Sequence, residues 1–518
     1  MAPVPIITSL TPDAGPVGTP ITIAGTAFSS TQGTVTFNGV LAPITSWSNL
    51  SIVASVPSGA TTGPVVVTTA VTSSAGFEFT VTATNQYIWI TYLQARQQLA
   101  ARLADSANIF WTDDELKFYF CEALRTWNAL TEQQNADFAF TATSAATWYD
   151  LSTLTGSPRL RTLTDAYLYT AMQYALLEPP TGAGTWTGTS QFSLADLQGA
   201  LQRRRDEMIQ VSGCNLAQLS PIASVLNGRR TYFPDSTLEP IRARFIDANS
   251  GATTLSREDE IAFDAFEPAH LQTPQVPSAW SLITEPPLAM DVDYPPSVTG
   301  QFDVISLQAG LAFTPPAATL LGVPDDWSWL AKWGALADLL SRDSEATDRQ
   351  RADYCLKRYM DGLKIMRQSN WLVSATFGGV PCDTPALREM DGFSPEWQDN
   401  ASAWPGLVQA GMDFVAVCPV PTGANVTGVV VTLVGNATCP ILDGDFVQVS
   451  RDVFDVILDY AQVLASFKMG GAEFAATKDL ESNFYTLAQA TNKRLANLGI
   501  FRDVIGETGK KQSRSQPR

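Results

Sequence analysis

Histidine is almost absent from this sequence. The 518 residues contain one, His270, which argues against a histidine-based metal site, a Ser-His-Asp triad or a Cys-His pair. Long hydrophobic runs are missing too, and without about 18 consecutive apolar residues no transmembrane helix is predicted. The N-terminus has no basic stretch followed by an apolar one, so a secretory signal is not predicted either.

Positive charge is also scarce. Lys and Arg number 33 against 51 Asp and Glu, which gives a net charge of −18. A chain of this sign does not bind nucleic acid through its overall field, because that needs clustered Lys and Arg. The six cysteines have no CxxC spacing, and in a chain of this length they are predicted to be reduced, buried thiols.

The first 95 residues differ in composition from the rest. They contain no Lys, Arg, His or Cys, and their only acids are Asp13 and Glu78. Apolar and polar residues alternate in short runs, as in Val35-Thr36-Phe37, and turn residues such as Asn38-Gly39 separate the runs. Short strands at such spacing predict a β-sandwich over residues 1–82.

The same segment resembles IPT/TIG immunoglobulin-like domains. The resemblance rests on SLTPDAGPVGTPITIAGTAF, TVTFNG, ITSWS, IVASVPSGATTGPVVVT and GFEFTV. The matching positions are Pro12, Gly15, Gly18, Gly25, Phe28, Phe37, Asn38, Gly39, Pro57, Gly63 and Phe79. It implies a binding or spacer module, and this fold by itself does not name a function.

A polar linker at 82–86 leads into sequence with helical periodicity. Thr112 with Glu115 and Ser193 with Asp196 are predicted capping boxes at helix starts. The predicted fold class is multidomain α+β, in which a mainly α-helical region with β-hairpins follows the sandwich. The predicted parts are a helical domain at 89–215, a Pro-rich irregular or β region at 216–325, a duplicated region at 323–498 and a basic tail at 499–518.

The duplication is predicted from residues 323–366 and 449–495. Val323 aligns with Val449 and Asp326 with Asp452, and each segment follows strand-like, Pro-bounded sequence. Each copy is therefore predicted to be a β-hairpin followed by two helices, whose apolar faces need neighbours to cover them. The helices expected at about 162–178 and 193–211 could belong to a third copy.

No catalytic, cofactor-binding or metal-binding residue is predicted, and an enzyme is not expected. The acidic pairs Asp113-Asp114 and Asp325-Asp326 lie where helices start, which favours capping over acid/base chemistry. The acidic segment 256–268 lacks the spacing of a calcium loop and is interpreted as solvated. Arg203-Arg204-Arg205 is interpreted as a solvated helix face with ion pairs, and a phosphate contact is the alternative.

Two groups of residues are candidates for interfaces. Three tryptophans give one helix two apolar faces, which indicates either a buried helix or one that serves an interface. The C-terminal sequence GKKQSRSQPR is basic and lacks apolar residues, so it is either an unstructured end or an arm that docks into an acidic neighbour or DNA. The candidates are Trp327, Trp329, Trp333, Lys510, Lys511, Arg514 and Arg518.

Two blocks of the remaining sequence resemble head-to-tail connector and neck adaptor proteins of tailed bacteriophages. They are FWTDDELKFYFCEALRTWNALT and VFDVILDYAQVLASFKMGGAEFAATKDL. The resemblance implies a virion protein, assembled in the bacterial host cytoplasm, that forms a cyclic homo-oligomer at the neck, twelve-fold by family analogy. Its implied partners are portal and tail proteins, and genome DNA would pass through a negatively charged lumen without sequence-specific binding. No membrane partner is expected.

The sequence also fits a second class of function, that of an adhesin. In a virion or cell-surface adhesin, or a tail-fibre-like protein, the IPT/TIG domain would bind polysaccharide or protein. A tandem array of Ig-like domains would favour that class, and this sequence contains one such domain.

Overall fold

The computed structural model describes most of the chain. The described residues are 4–16, 18–57, 60–81, 87, 89–144, 146–177, 191–219, 221–224, 228–247, 251–266, 273–314, 318–342, 348–369, 371–394, 396–399, 406–418 and 427–492. They fall into two compact units. The first contains the residues up to Ala95 together with Pro440–Ser450, and the second contains the remainder.

The first unit contains a β-sandwich of nine strands. They are β1 (Ile6–Thr11), β2 (Ala14–Gly15), β3 (Pro20–Thr26), β4 (Thr34–Phe37), β5 (Val40–Leu41), β6 (Ile44–Trp47), β7 (Ser51–Ser55), β8 (Gly63–Thr68) and β9 (Phe77–Val81). One sheet has the order β1-β3-β7-β6 and the other β2-β9-β8-β4-β5. The predicted β-sandwich is confirmed.

Apolar side chains, which alternate with polar ones along the strands, fill the space between the two sheets. Val35 and Phe37 point inward from β4, whereas Thr34 is exposed. Phe37 meets Phe79 of β9 edge to face, with ring centroids 5.3 Å apart. The turn that follows β4 has positive φ at Asn38 (45°) and Gly39 (87°), which is the backbone that a tight hairpin needs.

A segment from far along the chain completes the first unit. The amide of Tyr92 donates to the Asp445 carbonyl at 2.8 Å, and the amide of Val447 donates to the Ile90 carbonyl at 3.0 Å. The sequence has no local pattern that predicts this pairing, because the partners are more than three hundred positions apart.

The helices begin after the sandwich. They are α1 (Tyr92–Arg102), α2 (Asp113–Thr131), α3 (Asp165–Ala175), α4 (Leu194–Ser212), α5 (Glu260–Phe266), α6 (Ser328–Leu340), α7 (Arg349–Met366), α8 (Leu387–Phe393), α9 (Arg451–Ser466), α10 (Gly471–Ala475) and α11 (Lys478–Thr491). In the second unit α6 packs against α7 and α4, while α2 packs against α9 and α11.

The described residues of the second unit also form three β-sheets. Their strands are β10 (Asn135–Ala142), β11 (Trp148–Asp150), β12 (Leu216–Gln218), β13 (Ile222–Ala223), β14 (Arg230–Tyr232), β15 (Thr237–Asp247), β16 (Ala252–Arg257), β17 (Ala279–Ile283), β18 (Ala289–Val292), β19 (Gly300–Gln308), β20 (Leu372–Phe377), β21 (Val380–Pro381), β22 (Gly406–Ala410), β23 (Phe414–Cys418) and β24 (Thr427–Val434). The sheet orders are β10-β24-β20-β21, β11-β23-β22 and β12-β19-β15-β16-β17-β18-β14, with β13 also paired to β19.

The region after the sandwich is therefore mixed rather than mainly helical. The stretch expected to be irregular or β contains all eight strands of one sheet, with its own apolar core around Phe245, Trp280 and Phe302. Long strands such as β15 and β19 are buried along much of their length, so they lack the clean alternation that identifies a strand from sequence.

The two segments of the predicted repeat contain the expected helices but not the expected hairpins. Both segments contain a packed helix pair, α6 with α7 and α9 with α11. The strands before each pair do not form hairpins, because β18 and β19 are not neighbours and β23 and β24 belong to different sheets. Asp326 is buried, whereas Asp452 is exposed in the first turn of α9, so the aligned acids have different surroundings.

The two predicted capping boxes differ in outcome. Ser193 accepts a hydrogen bond from the Asp196 amide at 3.1 Å and Asp196 accepts one from the Ser193 amide at 3.2 Å, so the box before α4 is complete. Thr112 caps α2 by accepting from the Glu115 amide at 3.3 Å. The Glu115 side chain instead bonds Lys468, because that buried cation needs a counter-charge.

Candidate functional site

The three tryptophans proposed for an interface lie inside the second unit. Trp327, Trp329 and Trp333 are 3%, 3% and 1% exposed. Nearly every residue of α6 is buried, so the buried-helix interpretation is correct. The interface interpretation is corrected, since a partner cannot reach side chains that this chain already covers.

Glu122 of α2 is the centre of the contacts around Trp333. Its carboxylate accepts the indole N–H of Trp333 at 2.8 Å and forms a buried ion pair with Lys332. A guanidinium nitrogen of Arg358, on α7, lies 3.4 Å from the same carboxylate. Burial lowers the pKa of Lys332, and the charge of Glu122 opposes that shift. One acid therefore connects α2 to both α6 and α7.

Arg358 is held by aromatic rings as well as by charge. Its guanidinium carbon lies 4.3 Å from the ring centre of Trp333 and 5.2 Å from those of Trp329 and Tyr460. Weakly hydrated guanidinium groups stack well on aromatic faces. Tyr460 belongs to α9, so the cation reaches a helix of the other predicted repeat.

A second buried pair joins α2 to the segment just after α9. The Lys468 ammonium lies 2.9 Å from the Glu115 carboxylate, which also accepts the Tyr119 hydroxyl at 2.9 Å. Burial raises the pKa of Glu115, and Lys468 opposes that shift. We call Glu115, Glu122, Lys332, Arg358 and Lys468 the core charge network.

Another buried cluster lies at the end of the β11-β23-β22 sheet. Asp413 accepts from Arg159 at 2.6 Å and from Arg161 at 2.8 Å. Burial alone would raise the pKa of Asp413, but the two guanidinium groups hold it below its usual value. Arg159 also donates to the Val434 carbonyl at 2.9 Å, which connects this sheet to the one that contains β24.

The acidic pair before α6 does not cap that helix. Asp325 accepts from the amides of Thr162 and Leu163 at 2.8 and 3.0 Å. Asp326 accepts from the Asn128 side chain at 2.6 Å and from the Ala437 amide at 3.0 Å. Burial raises the pKa of Asp326 to about 6. The sequence identified a helix start correctly, but the two carboxylates accept hydrogen bonds from N–H groups of other segments.

The arginine run on α4 is only partly solvated. Arg203 and Arg204 both pair with Asp338 of α6. Arg205 is fully buried, donates to the Leu311 carbonyl at 2.7 Å and stacks on Phe313. The prediction of ion pairs is confirmed. The prediction of a wholly solvated face is wrong, because Arg205 is buried against the segment that follows β19.

The described residues offer neither a metal site nor a membrane-spanning helix. No group of His, Cys, Asp and Glu among the described residues is arranged to hold a metal ion. Two small cavities, beside Lys332 and beside Arg159, each have room for about one water molecule. None of the helices that the structure describes is long and apolar enough to span a bilayer. His270, Lys510, Lys511, Arg514 and Arg518 lie outside the described residues.

The six cysteines form no disulfide in the structure. Cys121, Cys214, Cys355 and Cys418 are buried, and Cys382 and Cys439 are half-buried. This agrees with the prediction of reduced thiols, four of which are fully buried.

The comparison with protein families identifies the first unit's sandwich. Residues 5–87 match the IPT/TIG domain. This part of the chain is an IPT/TIG domain. The match agrees with the two sheets and with the Phe37 core, and it covers the N-terminal part alone.

Comparisons with whole proteins add little about the rest of the chain. No curated protein matches it. Among solved structures, γ-CGTase from alkalophilic Bacillus clarkii matches with 27% identity over 16% of this chain and 13% of that chain, with a TM-score of 0.15. An auxiliary nutrient binding protein from Bacteroides thetaiotaomicron matches with 20% identity over 16% of this chain and 22% of that chain, with a TM-score of 0.15. The chain thus spans under a quarter of either protein.

Proposed function

We propose that this chain is a structural virion protein, a head-to-tail adaptor subunit that forms a ring between portal and tail. The observation that carries the proposal is the meeting of two distant sequence blocks. The blocks that resemble phage connector proteins contain Trp111 and Ala465, and the Trp111 indole donates to the Ala465 carbonyl at 3.1 Å. Lys468 and Glu115 join the same blocks.

The interior of this region suits a scaffold. The core charge network and the rings around Arg358 fill the space between α2, α6, α7 and α9 with interlocked side chains. Breaking a buried ion pair is strongly destabilising, so such contacts resist relative movement of the helices. An adaptor must keep its shape while it transmits force between head and tail.

The charge of the chain is compatible with DNA passage. A net charge of −18 repels phosphates, so genome DNA would move through a ring lumen without adhering to it. In this proposal the IPT/TIG domain lies on the outside, the basic tail docks on a neighbour or on the portal, and the subunit is assembled in the host cytoplasm.

The alternative proposal is a virion or cell-surface adhesin. It rests on the IPT/TIG domain itself, whose charged residues are limited to Asp13 and Glu78. Surface residues of this kind can contact polysaccharide hydroxyls or another protein without strong electrostatic selection. In this proposal the second unit anchors the domain.

Electron microscopy of labelled particles separates the two proposals. A tag placed before Met1 and detected with gold should mark the junction between head and tail if the adaptor proposal is correct. Label at fibre tips would favour the adhesin, and particles without label would contradict both virion roles.

A further inference from the structure

Strand β10 is an unusually open sheet edge. It pairs with β24 along all eight of its residues without a bulge, and in the described part of the chain nothing pairs with its other side. Exposed edge strands are usually protected by Lys, Pro, a bulge or short length, because their free amides and carbonyls accept another strand. Asn135–Ala142 has no Lys, Pro or bulge, and Asp137 is its one charged residue.

Other edges in the second unit are shorter or covered. Along β22, the amides of Leu407 and Gln409 donate to carbonyls of Asp383 and Pro385 at 2.9 and 2.8 Å. At the far side of the β10 sheet, β21 has two residues and contains Pro381. Within the described residues, the other sheet edges of the second unit are thus short or covered, and the edge of β10 is unpaired.

The two faces of β10 are chemically distinct. Phe138 and Phe140 are buried, with stacked rings 6.2 Å apart, whereas Asp137, Ala139 and Thr141 are exposed. Any strand that extends the sheet must keep apolar residues on the Phe138 side and polar or small residues on the other side.

We propose that β10 pairs antiparallel with β10 of a second copy of this chain, about a two-fold axis at Ala139. Residues directly opposite each other share a face of the sheet. Pairing Ala139 with Ala139 places Phe138 opposite Phe140 and Asp137 opposite Thr141. The strand is thus complementary to itself, and its one charge meets a hydroxyl rather than a like charge.

On the exposed face of the sheet, a chain of hydroxyl hydrogen bonds ends at the Asp137 carboxylate. The Ser374 hydroxyl donates to Thr432 at 3.0 Å, and the Thr432 hydroxyl donates to one oxygen of Asp137 at 2.8 Å. Thr141 of the second copy adds a hydroxyl donor on the open side of that carboxylate. The row of hydroxyls then crosses the two-fold axis from one sheet into the next.

This contact does not rest on the proposed role in the virion. A two-fold contact joins copies in pairs, whereas a ring needs a head-to-tail contact between different surfaces. The two can therefore be measured separately.

Cysteine cross-linking tests the register. In the 518-residue chain carrying Ala139→Cys, the two thiols lie opposite each other, where Cβ atoms of paired residues are about 4.5–5.5 Å apart. With oxidised glutathione the pair forms one disulfide and releases two molecules of reduced glutathione, so a reducible dimer is expected on a non-reducing gel. Asn135→Cys is the matched control, because Asn135 faces Thr143 rather than itself in this register. Equal cross-linking of both variants, or none beyond the unmutated chain, would overturn the proposal.

Sedimentation analysis tests the contact without a covalent bond. Ala139→Lys places two ammonium groups opposite each other and should weaken dimerisation by up to about fivefold. Thr376→Lys adds the same charge to the same sheet face, two strands from the edge, and should leave the dimer intact. A chain that is monomeric at every soluble concentration, or a dimer whose dissociation constant Ala139→Lys does not raise, would contradict the proposal.

Discussion

The indole nitrogen of Trp333 lies 2.8 Å from a carboxylate oxygen of Glu122, although 211 positions separate the two residues. Lys332 and Arg358 contact the same carboxylate. The carboxylate offsets two buried cations at once, so the packing of α2, α6 and α7 depends on one acidic side chain.

Replacing Glu122 should therefore destabilise the second unit strongly. Glu122→Ala leaves Lys332 and Arg358 without their counter-charge and should lower the free energy of unfolding by about 3–5 kcal/mol. Chemical denaturation measures the change. Arg342→Ala is the control, because its pair with Asp196 is well exposed and such pairs contribute about 0–1 kcal/mol. Equal losses in the two variants would contradict the account.

A core position in the IPT/TIG domain gives a second prediction. Phe37 is 1% exposed and contacts Phe79, so Phe37→Ala should cost about 3–5 kcal/mol. The exposed neighbour Thr34 is the control, and Thr34→Ala should change the stability by less than about 0.5 kcal/mol. Thermal unfolding followed by circular dichroism measures both changes.

A fragment of residues 1–82 should fold by itself and give the circular dichroism spectrum of a β-sheet protein. A coil spectrum would show that the sandwich does not fold independently.

The sandwich could be predicted because its determinants are local. In β4 the order Val35, Thr36, Phe37 alternates with the strand period, and Asn38-Gly39 specifies the turn that follows. Both features are read within a few residues. The family resemblance rests on the same turn and core positions.

The core charge network could not be predicted, because its partners are remote in sequence. Glu122 and Lys332 each lie on a helix where charged residues usually face solvent, and no pattern pairs them across some two hundred positions. For the same reason the aromatic residues of α6 suggested an interface, although Trp329 and Trp333 pack around Arg358. The acids before α6 showed where a helix starts but not that they bond to Thr162 and Asn128.

The raised pKa of Asp326 predicts a pH dependence of stability. Its pKa is about 6 in the folded protein against an ordinary value of 3.8, so the folded state binds the proton more tightly. The stabilisation is fully present below about pH 4 and is lost as the pH rises through about 6. Denaturation at a series of pH values should show the unmutated chain losing about 3 kcal/mol relative to Asp326→Asn between pH 4 and pH 7. If the stabilities of the unmutated chain and of Asp326→Asn change in parallel with pH, burial of this carboxylate does not cause the pH dependence.

The basic tail should matter for docking rather than for folding. Removing residues 510–518 takes away Lys510, Lys511, Arg514 and Arg518, so we expect unchanged thermal unfolding and weaker binding to a portal-type partner. The loss should be larger at low salt, where attraction between exposed charges is least screened. Binding measured by biolayer interferometry at two salt concentrations checks this, and a salt-independent loss would contradict the charge-docking hypothesis.

Native mass spectrometry of the purified 518-residue chain, alone and with a portal-type partner, tests the adaptor proposal most directly. The account predicts a closed ring, twelve-fold by family analogy, that forms equally well when residues 1–82 are deleted, because the contacts that build it belong to the second unit. A β10 dimer alone would leave the edge-strand inference in place and contradict the ring. A stable monomer under both conditions would contradict the adaptor proposal and move the adhesin proposal ahead.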